Sequence, residues 1–300
     1  MPLFYSEHYG SLAHLGISHN QERVNNIQNQ TRANHQEENV PAKESLLYQE
    51  EKGIARIIFN RPHALNALSM DLLQELAARL DDVRANDAVK ALIVTGAGDK
   101  AFSAGADIQF LHRASPLEVR EFARIAVSVT HKIETLGKVV LAAINGYALG
   151  GGLELAEACM LRVVVRQARL GHPEVGIGAI GGFGGTTRLP RLIGKGRAAE
   201  LLLTGRLITA EEALQVGLVH KVVEAENLLS AAEDLLLAIL SQSPVAVRLT
   251  WEAIHRGMNL SLEESALLGA DYFGLVASSE DFRNGTKAFL EKTRPSFAGR

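Results

Sequence analysis

Cysteine is almost missing from this chain: Cys159 stands alone among 300 residues. No disulfide can form within the chain and no cysteine-rich metal site exists, which suits a reducing compartment. Neither sign of charge is in excess, since 31 basic and 34 acidic residues leave a net charge of -3. That balance gives no reason to expect nucleic acid or an anionic membrane as partner. Long apolar runs are also lacking. The nearest to one, Val139–Leu153, is interrupted by Asn145 and by glycines, short of the roughly 18 residues a bilayer span needs. The first residues, "MPLFYSEHYGSLAHLGI", lack the basic start and apolar core of an export signal, and Glu7, Glu22, Glu37 and Glu38 argue against an acid-poor transit peptide. The cytoplasm is the expected location.

What is present is an ordinary globular composition, 47% hydrophobic and 22% charged, suited to one large domain. Residues 1–42 stand apart. Within them "SHNQERVNNIQNQTRANHQEENVPA" has scarcely any large apolar side chain, so a disordered extension is expected there. His8, His14, His19 and His35 fall in this stretch, but their irregular spacing favours a solvated tail over a metal site.

The remainder, 43–300, reads as one catalytic domain. "LLYQEEKGIARIIFNRP" predicts two strands about a Lys-Gly turn. "SMDLLQELAARLDDV" places Leu72, Leu73, Leu76, Leu80 and Val83 at helical spacing behind a Ser69 cap. "VKALIVTGAG" and "KVVLAAING" read as buried strands flanking a helix over 117–135. This alternation points to an α/β layer with much parallel pairing. After about Leu192 the chain reads as almost continuous helix. It includes "TAEEALQVG" with a Thr209/Glu212 capping box, and further helices near 227–241, 244–257, 262–276 and 279–292. No repeat of fixed period is visible.

Two glycine-dense segments carry the chemistry. "GYALGGGLELAEA", residues 146–158, follows an apolar strand and enters a helix, so its glycines allow close backbone approach and free N–H groups at the helix start. Glu154 then falls in the first turn, where the helix dipole favours negative charge. "ARLGHPEVGIGAIGGFGGTTRLP", residues 168–190, sets Glu174 before a second glycine-dense loop. The two glutamates, 20 residues apart, could share a cavity and divide acid and base roles, or could lie at opposite ends of the molecule. "GIGAIG", 176–181, matches a dinucleotide fingerprint in spacing only, since no strand leads into it and no acidic residue follows at the required distance.

The ordered pieces "NRPHALNAL" (60–68), "AFSAGADI" (101–108), "AAINGYALGGGLELAEAC" (142–159), "GHPEVGIGAIGGFGGTTRLPRLIGKGRAAELLLTG" (171–205) and "GLVHKVV" (217–223) closely resemble the enoyl-CoA hydratase/isomerase (crotonase) family, over about residues 45–296. The resemblance implies an α/β, crotonase-type spiral of ββα units. A helical C-terminal part, from about 195, builds trimers, often paired into hexamers. It implies an acyl-CoA thioester as substrate, with coenzyme A part of that substrate, no separate cofactor and no metal. By the same likeness, the main-chain N–H groups of Ala106 and Gly151 hold the thioester oxygen. His63, Ala64, Leu65, Ala104, Ile108 and Gly182 contact substrate, and Phe289 and Lys292 reach the adenine end, usually from a neighbouring subunit. Glu154 and Glu174 match the glutamates of hydratases, Glu154 as base toward water and Glu174 as acid toward the α-carbon.

The implied activity is enoyl-CoA hydration, a hydro-lyase reaction, with 3-enoyl-CoA isomerisation as the alternative. Some relatives bind RNA through a lysine-rich helix, but the matching "DLLQELAARLDDVRAND" has no lysine. Three positions depart from the common pattern: Gly181 stands where proline is frequent, Phe183 where a small residue is usual, and His172 where glutamine or an apolar residue is often seen. His172 is expected to point away from the site. Glu157 and Asp107 are expected to be structural, and Cys159 to pack in the core.

Overall fold

Lys52 and Gly53, with φ of 51° and 79°, turn the chain back between β1 (Leu46–Glu51) and β2 (Ile54–Phe59). The computed structural model describes residues 44–300, so the expected disordered extension lies outside the described residues. Ser69 accepts a hydrogen bond from the Leu72 N–H and starts α1 (Met70–Ala85), which buries Leu72, Leu73, Leu76, Leu80 and Val83.

The order continues through β3 (Ala91–Gly96), β4 (Ala101–Ser103), α2 (Ile108–Arg113) and α3 (Pro116–Glu134). Next come β5 (Val139–Ile144), β6 (Tyr147–Leu149), α4 (Gly151–Ala158), β7 (Leu161–Val165) and β8 (Arg169–Gly171). The helices α5 (Gly185–Ile193) and α6 (Lys195–Thr204) lead to β9 (Ile208–Thr209), α7 (Ala210–Gln215) and β10 (Lys221–Val223). The chain closes with α8 (Leu228–Leu240), α9 (Pro244–Gly257), α10 (Leu262–Ala277) and α11 (Glu280–Glu291).

Six strands form one sheet in the order β1-β2-β3-β5-β7-β10, antiparallel only at β1-β2. The strands β3 and β5 are buried at every position, because parallel strands covered on both faces carry continuous apolar runs. A second sheet, β4-β6-β8-β9, is parallel across its first three strands. Three times the chain makes a strand in the first sheet, a short strand in the second and then helix: β3 and β4 before α2, β5 and β6 before α4, β7 and β8 before α5. This is the expected ββα spiral.

Two expectations need correction. The chain after Leu192 is not continuous helix, since β9 and β10 join the two sheets. At α7, Thr209 accepts from the Glu212 N–H, but the Glu212 carboxylate pairs with Arg206 at 2.6 Å, so the reciprocal half of the capping box is not made. The charged guanidinium is the stronger partner.

The C-terminal end is fastened by one buried acid. Asp281 accepts from Ser243 Oγ at 2.8 Å and from the N–H groups of Ala298 and Gly299 at 2.7 and 3.1 Å. Burial raises its pKa, but these donors outweigh that and hold the carboxyl below its usual range. Asp281→Ala leaves the donors unpaired and is expected to cost about 2–3 kcal/mol in a urea melt, with cleavage by protease appearing near the C-terminus. No helix among the described residues is long and apolar enough to cross a bilayer.

Candidate active site

Parallel pairing brings like ends of strands together, and in the second sheet those ends are where the glycine-dense segments begin. Ser103 of β4 pairs with Ala148 of β6, and Leu149 of β6 pairs with Gly171 of β8. The next residues therefore gather in one place: 104–107 after β4, 150–154 after β6 and 172–174 after β8. Gly150 N–H donates to the Gly171 carbonyl at 2.9 Å and extends the ladder by one step.

Glu154 and Glu174 meet across this junction. A Cβ placed on Gly181 would lie 3.1 Å from Glu154 Oε1 and 3.9 Å from Glu174 Oε1, so one glycine separates the two acids. Glu154 is 1% exposed. Its Oε1 accepts from the main-chain N–H of Phe183 at 2.9 Å and of Gly185 at 2.6 Å. Burial pushes its pKa up to about 7; the Gly185 N–H and the His172 charge oppose the rise, while Glu157 and Glu174 add to it. Glu174 is the second residue of a 3-10 turn (Pro173–Ile177), and its Oε2 is buried without a partner among the described residues. Gly150 makes room for it, because a Cβ there would sit 2.8 Å from Glu174 Oε1.

The two expected main-chain donors also adjoin. A Cβ on Gly105 would lie 3.3 Å from the Gly151 nitrogen. Leu68 bridges Gly105 and Asp107 on either side of Ala106, donating to the first and accepting from the second. Among the described residues, neither the Ala106 nor the Gly151 N–H donates a hydrogen bond. Such a pair is suited to a developing oxyanion.

The other expected residues fall in two groups. His63 and Ala64 lie in a 3-10 turn (Pro62–Ala64), followed by Leu65 and Asn66 with φ of 50° and 55°. Asn66 holds this turn by donating to the Ala97 and Ala101 carbonyls, and Ala104 N–H donates to the Leu65 carbonyl. Asp107 caps α2 and pairs with Arg61 at 3.2 Å, a structural role as expected. Ile108 is 56% exposed at the start of α2, and Gly182 lies beside Ala123. By contrast, Phe289 is 84% exposed on α11, Lys292 ends that helix, and the chief neighbour of α11 is α10. Within one chain these two are not assembled with the glutamates.

His172 contradicts its expectation. It does not point away but is buried between the acids, with Nε2 2.8 Å from Glu157 Oε1 and Nδ1 3.7 Å from Glu174 Oε1. The ring turns inward because the buried Glu157 and the half-buried Glu174 flank it. Phe183 is buried, with its ring against Gly151 and edge-on to Phe122. Cys159 is buried in the core, where burial pushes its thiol up to about 12.

Sequence reading missed the scaffold around Glu154. Arg162, almost wholly buried, donates to the carbonyls of Ala156 and Cys159 and so closes the C-terminal end of α4. The loop at Phe183 is tied down from behind. Thr130 Oγ1 and Arg188 donate to the Phe183 carbonyl, Arg188 grips both carboxylate oxygens of Glu134, and Trp251 of α9 donates to the Glu134 carbonyl. No sequence signal marked Arg188 and Glu134, because both lie in helices that carry other charges and nothing in the sequence paired them.

The enoyl-CoA hydratase/isomerase family model matches residues 49–300. Crotonyl-CoA hydratase of Syntrophomonas wolfei is 44% identical over 256 residues, which cover 85% of this chain and 98% of that protein. Short-chain-enoyl-CoA hydratase of Clostridium acetobutylicum is 42% identical, with 83% and 96% covered. The crystal structure of enoyl-CoA hydratase from Bacillus anthracis superposes with a TM-score of 0.82 at 38% identity, over 86% of this chain and all of that one. The ββα spiral, the site at its short-strand ends and near end-to-end similarity agree, and the chain belongs to the enoyl-CoA hydratase/isomerase family.

Proposed function

We propose that this chain adds water reversibly to a 2-trans-enoyl-CoA thioester to give a 3-hydroxyacyl-CoA. One observation carries the reading: the buried Glu154 and the half-buried Glu174 converge beside the free N–H groups of Ala106 and Gly151. Hydration of a conjugated thioester moves electron density onto the carbonyl oxygen as water attacks the β-carbon. The two N–H groups stabilise that enolate, and losing one such donor typically costs on the order of 10²–10³ in rate. Glu154, ionised, takes a proton from the attacking water while Glu174, entering protonated, gives its proton to the α-carbon, and passage of a proton from Glu154 back to Glu174 resets the pair. In dehydration the roles reverse.

A carboxyl with a pKa near 7 changes state within the working range, as a general base should. Since the base form is required for hydration, kcat/KM is expected to fall as pH drops through about 7. A kcat/KM–pH profile with crotonyl-CoA, followed by loss of enoyl-thioester absorbance, checks both the activity and this limb. Turnover of 3-enoyl-CoA without water addition would instead identify an isomerase.

Short acyl chains are the expected substrates, because the relatives just described act on crotonyl-CoA and short-chain enoyl-CoA. The reading needs no cofactor or metal beyond the coenzyme A of the substrate. A homotrimer or pair of trimers in the cytoplasm accords with it. In that assembly Phe289 and Lys292 of a neighbouring copy would complete the site, and light scattering tests the stoichiometry.

A further inference from the structure

Glu157 and His172 take no part in the reaction just proposed, yet their side chains are 0% and 1% exposed. Glu157 lies one turn beyond Glu154 on α4, and His172 follows β8 two residues before Glu174. Their contact is 2.8 Å between His172 Nε2 and Glu157 Oε1. On the other side of the ring, Nδ1 stands 3.7 Å from Glu174 Oε1 and has no other partner among the described residues. Gly185 packs against the ring, where a Cβ would lie 2.8 Å from His172 Cε1.

A buried carboxylate persists only when paired, and the imidazole is the partner Glu157 has. Burial lowers the proton affinity of His172, but the carboxylates of Glu157 and Glu174 outweigh it and raise its pKa to about 10. Both ring nitrogens then carry protons. The charges around the ring are Glu154 and Glu157 from α4, Glu174 from the 3-10 turn, Arg162 from β7 and Arg188 from α5.

We propose that Glu157 and His172 are a positioning pair for Glu174: Glu157 fixes the ring, the ring's Nδ1–H holds Glu174 Oε1, and Oε2 is left to face the reacting carbon. The inference rests on the hydratase reading. A protonated carboxyl can carry its proton on either oxygen and has a free terminal torsion, so a donor that holds Oε1 keeps the proton on Oε2 for transfer. The distance of 3.7 Å is beyond a hydrogen bond, and a small turn of the Glu174 carboxylate closes it when substrate binds, as catalytic contacts commonly tighten in the complex.

The test compares His172→Leu, Glu157→Leu and the double variant in crotonyl-CoA hydration. His172→Leu alone strands a buried carboxylate and can fail to fold, whereas the double variant replaces the ion pair by an apolar pair of similar volume. The double variant is expected to fold, to keep KM within about twofold and to lose kcat by about 10–100-fold, the scale of a misplaced reacting group. Wherever His172→Leu folds, its acid limb is expected at higher pH than the parent's, because the imidazolium charge pulls the Glu154 pKa down. The two single losses should not add in the double, since the residues act as one unit. A double variant with parental kcat and an unmoved acid limb, differing only in melting temperature, overturns the proposal and leaves the hydratase reading intact. A parent chain that does not hydrate crotonyl-CoA overturns both.

Discussion

Glu154→Gln is expected to lower kcat for crotonyl-CoA hydration by about 10²–10⁴-fold with little change in KM, the range general acid–base groups supply. The substitution is close to isosteric. A glutamine oxygen keeps accepting from the Phe183 and Gly185 N–H groups, and the amide nitrogen is forced outward, where it cannot take a proton from water. The stability of the same variant should move the other way. Because the folded-state pKa of Glu154 is raised from 4.5 to about 7, the folded chain holds a proton in that window that the unfolded chain has released. Stability from this group therefore falls as pH rises through the window and stays lower above it, by on the order of 3 kcal/mol. Glutamine removes that penalty, so the variant should melt higher than the parent at pH 8 and lose most of that advantage near pH 4. Paired kcat and melting measurements check both halves. A variant that keeps parental kcat would remove Glu154 from the chemistry.

Gly150→Ala is expected to damage rate and stability together. At φ 49° and ψ -126° the residue occupies backbone space that L side chains avoid, which costs about 1–3 kcal/mol. Its new Cβ would also press on Glu174 Oε1 from 2.8 Å, moving the acid relative to substrate. A shift of that kind, on the order of 1 Å, can lower the rate about 10²-fold. Gly176→Ala is the control, since a Cβ there meets nothing within 4 Å and its φ is not left-handed. A urea melt and kcat for both variants separate local strain from a general intolerance of side chains in these loops.

Much of the fold was legible because its long elements announce themselves. The helix Pro244–Gly257 was read at its observed limits, and α1 was read down to its buried leucines. The second sheet was not legible. Its strands are two or three residues long, too short to show a period of two, and their pairing is fixed by the larger sheet that delivers them. The ββα spiral was expected from the family resemblance and not from a period, because β3, β5 and β7 begin at 91, 139 and 161 and the repeat has no constant length. At the site, spacing could not decide whether Glu154 and Glu174 meet. The pairing of Leu149 with Gly171 decides it. His172 was misjudged because its partner Glu157 lies on another element, and no local pattern joins a helix residue to one after a strand.

The links running from Trp251 through Glu134 and Arg188 to the Phe183 loop end on Glu154 itself. The terminal helices are thus braced against the proton-transfer machinery, so the chain cannot be cut near residue 243 into a working front half and a dispensable tail. Truncation there would loosen a reacting group many residues upstream of the cut.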